Sequence, residues 1–143
     1  MSKSTDFLTE IAEELNSCRT REEKLETLIF SGKHLEPSPD NLKSEQNLVP
    51  GCISETFLKA EINSDNTLKF IGDSASLITK GYLYIFIQAF SGLMPLEIIQ
   101  NIESDSKNFI KTASIDISIM PSRTNTIINI YMHMKQLAYN YLS

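Results

Sequence analysis

The sequence has little cysteine and no cluster of basic residues, and both scarcities exclude functions. Its 143 residues include two cysteines and two histidines, all widely separated. A structural zinc site needs four such ligands at short paired spacings, and an iron–sulfur cluster usually needs four thiolates. The formal net charge is −5, and lysine and arginine are scattered singly, which argues against a general nucleic-acid surface. We therefore expect no resident metal or cofactor and no nucleic-acid partner.

The chain also lacks an apolar run long enough to span a membrane. Its most apolar segment, GYLYIFIQAFSGLM at 81–94, falls short of the ~20 residues that a spanning helix needs and contains Gln88. The N-terminal sequence MSKSTDFLTEIAEEL is acidic and lacks the long apolar run of a signal peptide. We expect a buried helix at 81–94, no membrane association and a cytoplasmic location, where both thiols stay reduced.

Periodicity predicts an α+β fold within a single domain over residues 1–143. Apolar residues at helical spacing predict helices over about 4–17 and 21–33. Alternating apolar and polar residues predict strands over about 55–62 and 67–72, and the turn sequence NSDN joins them as a hairpin. We expect a small antiparallel sheet packed with several helices.

The second half of the chain carries helix-boundary signals. Ser74 is predicted to cap a long helix that ends near Phe90, with Gly92 in the left-handed position just beyond it. Pro95 is predicted to open a short helix, LEIIQNI, and the sequence SIDISIM at 114–120 is interpreted as an extended connection. A long C-terminal helix is indicated by one apolar stripe, which comprises Ile127, Ile128, Tyr131, Met134, Leu137, Ala138 and Tyr141.

The two cysteines stand in different local sequences. Cys52 directly follows Pro50-Gly51, where proline fixes its own φ and glycine suits a strained or closely approached backbone. That pair favours a loop that aims the thiol, but a buried cysteine acting as a small hydrophobe remains an equal alternative at this point. Cys18 lies seven residues after Ile11 on the apolar face of the first helix and is predicted to pack in the core.

Other candidate groups have simpler interpretations. His133 is predicted to be a solvated residue of the last helix, and His34 to interact with the dipole at a helix C-terminus. A cysteine–histidine hydrolase therefore has no recognisable base. The sequence GDSAS at 72–76 is interpreted as helix capping, because an anion site of the Walker type would need a lysine after the second glycine.

Several blocks together resemble the SufE family of sulfur-acceptor proteins. They are SEQNLVPGCISETFL, GDSASLITKG and MPSRTNTI, with REEK at 21–24 resembling the opening of the family's second helix. The spacing between the blocks fits, so the resemblance covers nearly the whole chain. The family's acceptor cysteine falls on Cys52, and the arginine of its Pro-Ser-Arg motif falls on Arg123. The chain departs from the family pattern at Ile53, Phe57, Ser118 and Asn125-Thr126.

The resemblance implies a function. Cys52 would take sulfane sulfur from a PLP-dependent cysteine desulfurase of the SufS type, carry it as a persulfide, stimulate that enzyme and deliver the sulfur to an iron–sulfur scaffold complex similar to SufBCD. Arg123 is a candidate stabiliser of the thiolate or persulfide anion. PLP would belong to the partner, so this chain needs no cofactor and acts as a covalent carrier rather than a stand-alone enzyme.

The resemblance also implies an α+β fold similar to scaffold proteins of the IscU type, with a long C-terminal helix. Monomer and homodimer both stay open. The alternatives are a cysteine-dependent thiol enzyme with its own substrate, and an interaction module whose cysteine is purely structural.

Overall fold

The computed structural model describes residues 3–52, 54–114 and 121–142, and the side chains of 121–124 fall outside this description. The described residues form five α-helices and one two-stranded antiparallel sheet. In chain order these are α1 (Lys3–Ser17), α2 (Arg21–Gly32), β1 (Thr56–Ile62), β2 (Leu68–Ser74), α3 (Leu77–Phe90), α4 (Pro95–Thr112) and α5 (Pro121–Tyr139). The predicted α+β class and the long C-terminal helix are confirmed.

The hairpin forms where alternation and turn chemistry predict it. β1 and β2 pair from Thr56 opposite Ser74 to Ile62 opposite Leu68. Asn66 takes the left-handed conformation, with φ 68°, in the turn between the strands. The inward-facing residues of the two strands are buried because the helices cover that face, and these residues include Leu58, Leu68 and Phe70.

The helices pack on the hairpin around one apolar cluster to which all five contribute. α3 is buried on most of its surface, which confirms the buried helix predicted within 81–94. Gly81 allows α2 and α3 to approach closely, because a Cβ at this position would collide with the carbonyl oxygen of Leu28. None of the described helices is both long enough and apolar enough to cross a membrane.

The structure corrects two of the predicted boundaries near Ser74 and confirms that α3 ends at Phe90. Ser76, not Ser74, is the N-cap of α3, and its hydroxyl accepts a hydrogen bond from the Thr79 backbone N–H. Ser74 belongs to β2, which extends two residues beyond the predicted strand. Gly92 does take the left-handed conformation, with φ 84°.

α4 is 18 residues long rather than short, because its buried face continues beyond LEIIQNI through Ser106, Phe109 and Ile110. Its last turn is held from outside the helix. The buried ammonium group of Lys24 donates to the Ala113 carbonyl and the Asn16 side-chain amide donates to the Thr112 carbonyl. Beyond it, the connection predicted at 114–120 lies, apart from Ser114, outside the described residues.

α5 runs beside β1, and two outward carbonyls of that strand are already bonded. The Thr56 carbonyl accepts from the Val49 N–H at 2.8 Å, and the Ala60 carbonyl accepts from the Tyr141 hydroxyl at 2.9 Å. Between them, the ring of His133 lies beside the Leu58 backbone. The contacts of His133 and Tyr141 place α5 and the residues just after it along β1.

The prediction of a solvated His133 was therefore wrong. The side chain is half-buried between α5 and β1, and its Nε2 is buried without a hydrogen-bond partner among the described residues. Burial lowers the pKa of His133 below its ordinary value, and the Leu58 backbone beside the ring offsets part of that effect.

Candidate functional site

A short loop at the start of β1 carries Cys52. Leu48 forms an isolated antiparallel bridge with Phe57 of β1, so the chain reverses direction between these two residues. Gly51 takes the left-handed conformation with φ 81°, which a residue with a side chain rarely adopts. The loop position and the need for glycine before Cys52 are as the sequence indicates.

The thiol of Cys52 is half-buried and packs against the edge of the core cluster. Burial raises the pKa of Cys52 above its ordinary value, and a hydrogen bond with the Thr56 side chain offsets this in part. Because the thiolate is the nucleophile, this resting position holds the sulfur in its less reactive, protonated form at neutral pH. The two interpretations of Cys52, as a loop residue and as a buried apolar residue, are thus both partly right, since the cysteine lies on a loop and is also packed against apolar side chains.

Thr56 connects the loop to the sheet. Its hydroxyl lies 3.0 Å from the Ser54 carbonyl and 3.0 Å from the Ser74 hydroxyl. Ser74 in turn accepts from the Ser76 N–H at the start of α3. The neutral hydroxyls of these side chains therefore link the cysteine loop, both strands and α3 without placing a charge beside the sulfur.

α5 supports the loop from the other side. A Cβ built on Gly51 would lie 2.8 Å from Nδ2, 3.3 Å from Cγ and 3.4 Å from Oδ1 of Asn129, so the whole amide group of Asn129 occupies the space next to Gly51. The sequence analysis did not single out Asn129. No local signal marks it, because the contact depends on how α5 lies across the loop.

Arg123, the other predicted site residue, lies in the first turn of α5. Its side chain falls outside the described residues, so its proposed contact with Cys52 stays a prediction.

Asp73 organises a charged cluster near the same end of the hairpin. Its carboxylate lies 3.5 Å from the ammonium group of Lys80 and 3.6 Å from that of Lys43, and it accepts from the Ser38 hydroxyl. Burial raises the pKa of Asp73, but the Ser74 backbone N–H and these partners outweigh burial and hold the pKa below its ordinary value. The capping interpretation of GDSAS was right for Ser76 but missed this role of Asp73, which joins the 36–47 connection to α3.

The remaining candidates lie away from the loop. Cys18 is half-buried just beyond α1 and lines an open groove with Glu14 and Thr27, so its predicted place in the core was wrong. His34 follows α2 as predicted, and its Nδ1 lies 3.2 Å from the Phe30 carbonyl in the last turn. Within the described residues, no group of three or more His, Cys, Asp or Glu side chains is placed to hold a metal ion.

Comparison with known proteins gives consistent matches. The SufE family model, described as an Fe-S metabolism associated domain, matches residues 9–138. The chain is 31% identical over 131 residues to a SufE-like protein of Synechocystis, covering 92% of this chain and 79% of that protein. It is also 31% identical over 123 residues to the cysteine desulfuration protein SufE of Wigglesworthia glossinidia brevipalpis, covering 86% and 83%.

A solved structure supports the fold. The solution structure of a hypothetical protein from Thermus thermophilus superposes with a TM-score of 0.73 and covers 94% of this chain and 95% of that one. At 13% identity, this likeness concerns the fold alone.

Proposed function

The chain belongs to the SufE family, a domain family associated with Fe–S metabolism, and on this premise we propose that Cys52 accepts sulfur from a cysteine desulfurase. The relative from Wigglesworthia carries the name cysteine desulfuration protein. The observation that carries the proposal is the placement of Cys52, which lies half-buried on a loop turned by Gly51 at the end of the hairpin. A carrier needs this placement because its sulfur must be both delivered and protected.

The proposed transfer is an exchange between sulfur atoms. The Cys52 thiolate attacks the outer sulfur of the desulfurase persulfide. The S–S bond of the enzyme breaks, a new S–S bond forms on Cys52, and the enzyme's cysteine leaves as a thiolate. No external electrons are needed, because one sulfur–sulfur bond replaces another.

The raised pKa of Cys52 fits a two-position cycle. With the loop at rest, burial keeps the thiol protonated and shields a bound sulfur from small thiols. When the loop extends into a partner's site, the burial that raises the pKa is relieved and the thiolate becomes accessible. Docking on the correct partner would then activate the nucleophile.

Further parts of the proposal concern the partners and Arg123. The donor would be a PLP-dependent desulfurase of the SufS type, stimulated because its bound sulfur is removed, and the recipient an iron–sulfur scaffold complex similar to SufBCD. Arg123, in the first turn of α5, would stabilise the thiolate or persulfide anion. We place these events in the reducing cytoplasm, which keeps Cys18 and Cys52 as free thiols.

The test uses Cys52→Ser with candidate desulfurases and cysteine. Serine keeps nearly the same size, but its hydroxyl is a far weaker nucleophile at neutral pH and forms no persulfide. Intact-protein mass spectrometry should show one added sulfur atom on the wild type, on Cys18→Ser and, more slowly, on Arg123→Ala, but none on Cys52→Ser. Turnover of the desulfurase should rise with the wild type and not with Cys52→Ser beyond any effect of binding.

Sulfur uptake by Cys52→Ser equal to that of the wild type would refute the carrier role. Turnover of a small thiol substrate by this protein alone would instead favour the thiol-enzyme alternative.

A further inference from the structure

The outer edge of β2, on the side away from β1, is only partly covered. Residues of an antiparallel pair alternate between those that bond to the partner strand and those that point outward. Ala60 points outward, because its carbonyl accepts from the Tyr141 hydroxyl beyond the hairpin, and it lies opposite Phe70. Phe70 and, two residues further along, Gly72 therefore direct their backbone groups to the outer edge of β2.

The chain that follows α3 covers this edge only as far as Phe70. Residues 92–93 form two backbone hydrogen bonds with Leu68, and the Ser91 hydroxyl accepts from the Phe70 N–H at 3.1 Å. Among the described residues, no hydrogen bond reaches the Phe70 carbonyl or either backbone group of Gly72 from this side. Adjacent polar groups of the edge are therefore left open.

The open groups line a narrow slot. Its floor is the β2 segment 69–72, one wall is α3 through Tyr84 and Ile87, and the other wall is the chain just after α2, residues 34–36. The exposed side chain of Gln88 forms part of the rim. The slot volume is about 110 Å³, below the ~150 Å³ of a cavity that holds benzene, so it has room for about one small residue.

The backbone groups in this slot need hydrogen-bond partners. Phe70 and Gly72 are both buried, and buried backbone N–H and carbonyl groups are nearly always hydrogen-bonded. The edge therefore favours a partner that supplies both a donor and an acceptor. Charge does not select that partner, because Lys69 and Glu36, which also line the slot, already pair with each other at 3.1 Å.

An extended polypeptide has the required groups. Its backbone N–H and carbonyl groups alternate along one edge and match those of a strand that lies about 4.8 Å away. Peptides often bind by strand addition, in which main-chain hydrogen bonds supply affinity and pockets select side chains. Here the small slot would select glycine, alanine or serine at the residue that enters it.

We propose that the outer edge of β2 at Phe70 and Gly72 binds an extended segment of a partner protein by strand addition, with one small residue of that segment in the slot. An N–H group of the segment donates to a free carbonyl of the edge, and one of its carbonyls accepts from the Gly72 N–H. The proposal goes beyond the proposed function and does not rest on it, since Cys52 does not line the slot.

The test selects peptides from phage-displayed random heptamers on the immobilised protein. Selected peptides are then synthesised with an N-methyl group at one position at a time. N-methyl groups at alternate positions should weaken binding about tenfold or more, because they remove the donors that face the edge, whereas those between should have little effect. Binding should also slow hydrogen exchange of the Gly72 amide but not that of Leu68, whose N–H already donates to the Leu93 carbonyl.

A matched pair of variants locates the site. Gln88→Trp places a bulky ring at the rim of the slot and should weaken binding of the selected peptides about tenfold or more. Gln136→Trp makes the same change at an exposed position of α5 outside the slot and should bind them as the wild type does. Both positions are exposed, and circular dichroism checks that both variants fold.

Three results would each overturn the proposal. The first is a selection that yields no peptide able to slow exchange of the Gly72 amide, in which case the slot holds water only. The second is binding that does not depend on which position carries the N-methyl group, because strand pairing requires alternation. The third is equal binding of the selected peptides to folded Gln88→Trp and Gln136→Trp.

Discussion

At the scale of single residues, the two thiols differ in the environment that controls their chemistry. Cys52 packs against apolar side chains and has a raised pKa, whereas Cys18 lines an open groove beside Glu14 and Thr27. Reactivity of a cysteine follows its thiolate fraction and its access to reagent. The cysteine proposed for function is therefore the more protected one at rest.

We accordingly expect iodoacetamide to label Cys18 at least as fast as Cys52 at neutral pH. Because the pKa of Cys52 is raised, its labelling should increase about tenfold per pH unit and level off only above the ordinary thiol range. Peptide mapping after brief labelling from pH 6.5 to 10 measures both rates in one sample. Much faster labelling of Cys52 at pH 7 would mean that the loop is extended for most of the time.

The features of the segment around Cys52 were easier to predict from the sequence than the contacts that distant segments make with it. The left-handed conformation of Gly51 and the loop position of Cys52 follow from types that are adjacent in the chain. Asn129 and the partners of Asp73 could not be found in that way, because those contacts join segments far apart in sequence. His133 was misread for the same reason, since its burial comes from β1 rather than from its own helix.

At the scale of elements, glycines allow α2 and α3 to pack closely where the two helices cross. Gly81 sits directly against the Leu28 carbonyl, and Gly32 lies against the Lys80 side chain from the other helix. Lys80 also pairs with Asp73, so this crossing sets the position of the charged cluster beside the hairpin. The distance between α2 and α3 therefore affects where Lys80 and Asp73 lie at the end of the sheet that carries the cysteine loop.

Gly81→Ala should destabilise the protein by about 1–3 kcal/mol, because the added methyl group forces α2 and α3 apart. Alanine's better helix propensity, worth about 1 kcal/mol, would offset only part of this. Thermal unfolding followed by circular dichroism measures the change. Gln88→Ala, at an exposed position on the same helix, is the control and should stay within about 0.5 kcal/mol of wild type. Equal melting temperatures for the two variants would show that the helices can separate without cost.

Element types were predictable, whereas some ends were not. Alternation within β1 and β2 and the apolar stripe of α5 are strong, long signals. The cap of α3 was misplaced because Ser74 and Ser76 are both suitable cap residues by type, and only the pairing of Ser74 with Thr56 assigns it to the strand. α4 was cut short because its second half presents mostly polar residues to solvent while Phe109 and Ile110 face inward.

At the scale of the whole molecule, the first and last helices pack on the same core. α1 contributes Leu8 and Leu15, and α5 contributes Tyr131 and Met134, all nearly fully buried. α1 also donates from Lys3 to the Ser91 carbonyl at the end of α3. This arrangement favours unfolding of the described helices as one unit.

Urea unfolding should therefore be a single transition with a slope of about 1–3 kcal/mol per molar urea. Far-UV circular dichroism reports the helices. Tyrosine fluorescence reports the core, since the chain has no tryptophan and both Tyr82 and Tyr131 are buried. The two curves should coincide. Two separated midpoints would divide the chain into independently folding parts.

The bonded outer edge of β1 has a consequence for how the molecule behaves in a crowded solution. A free strand edge is a template on which a second chain can add its own strand, and repeated addition leads to aggregation. Here the carbonyls of Thr56 and Ala60 accept hydrogen bonds from the Val49 N–H and the Tyr141 hydroxyl, and the ring of His133 lies beside the Leu58 backbone. Two of these three residues belong to α5 or the residues just after it, so detachment of the last helix would expose the edge and make it a site of intermolecular β-sheet growth.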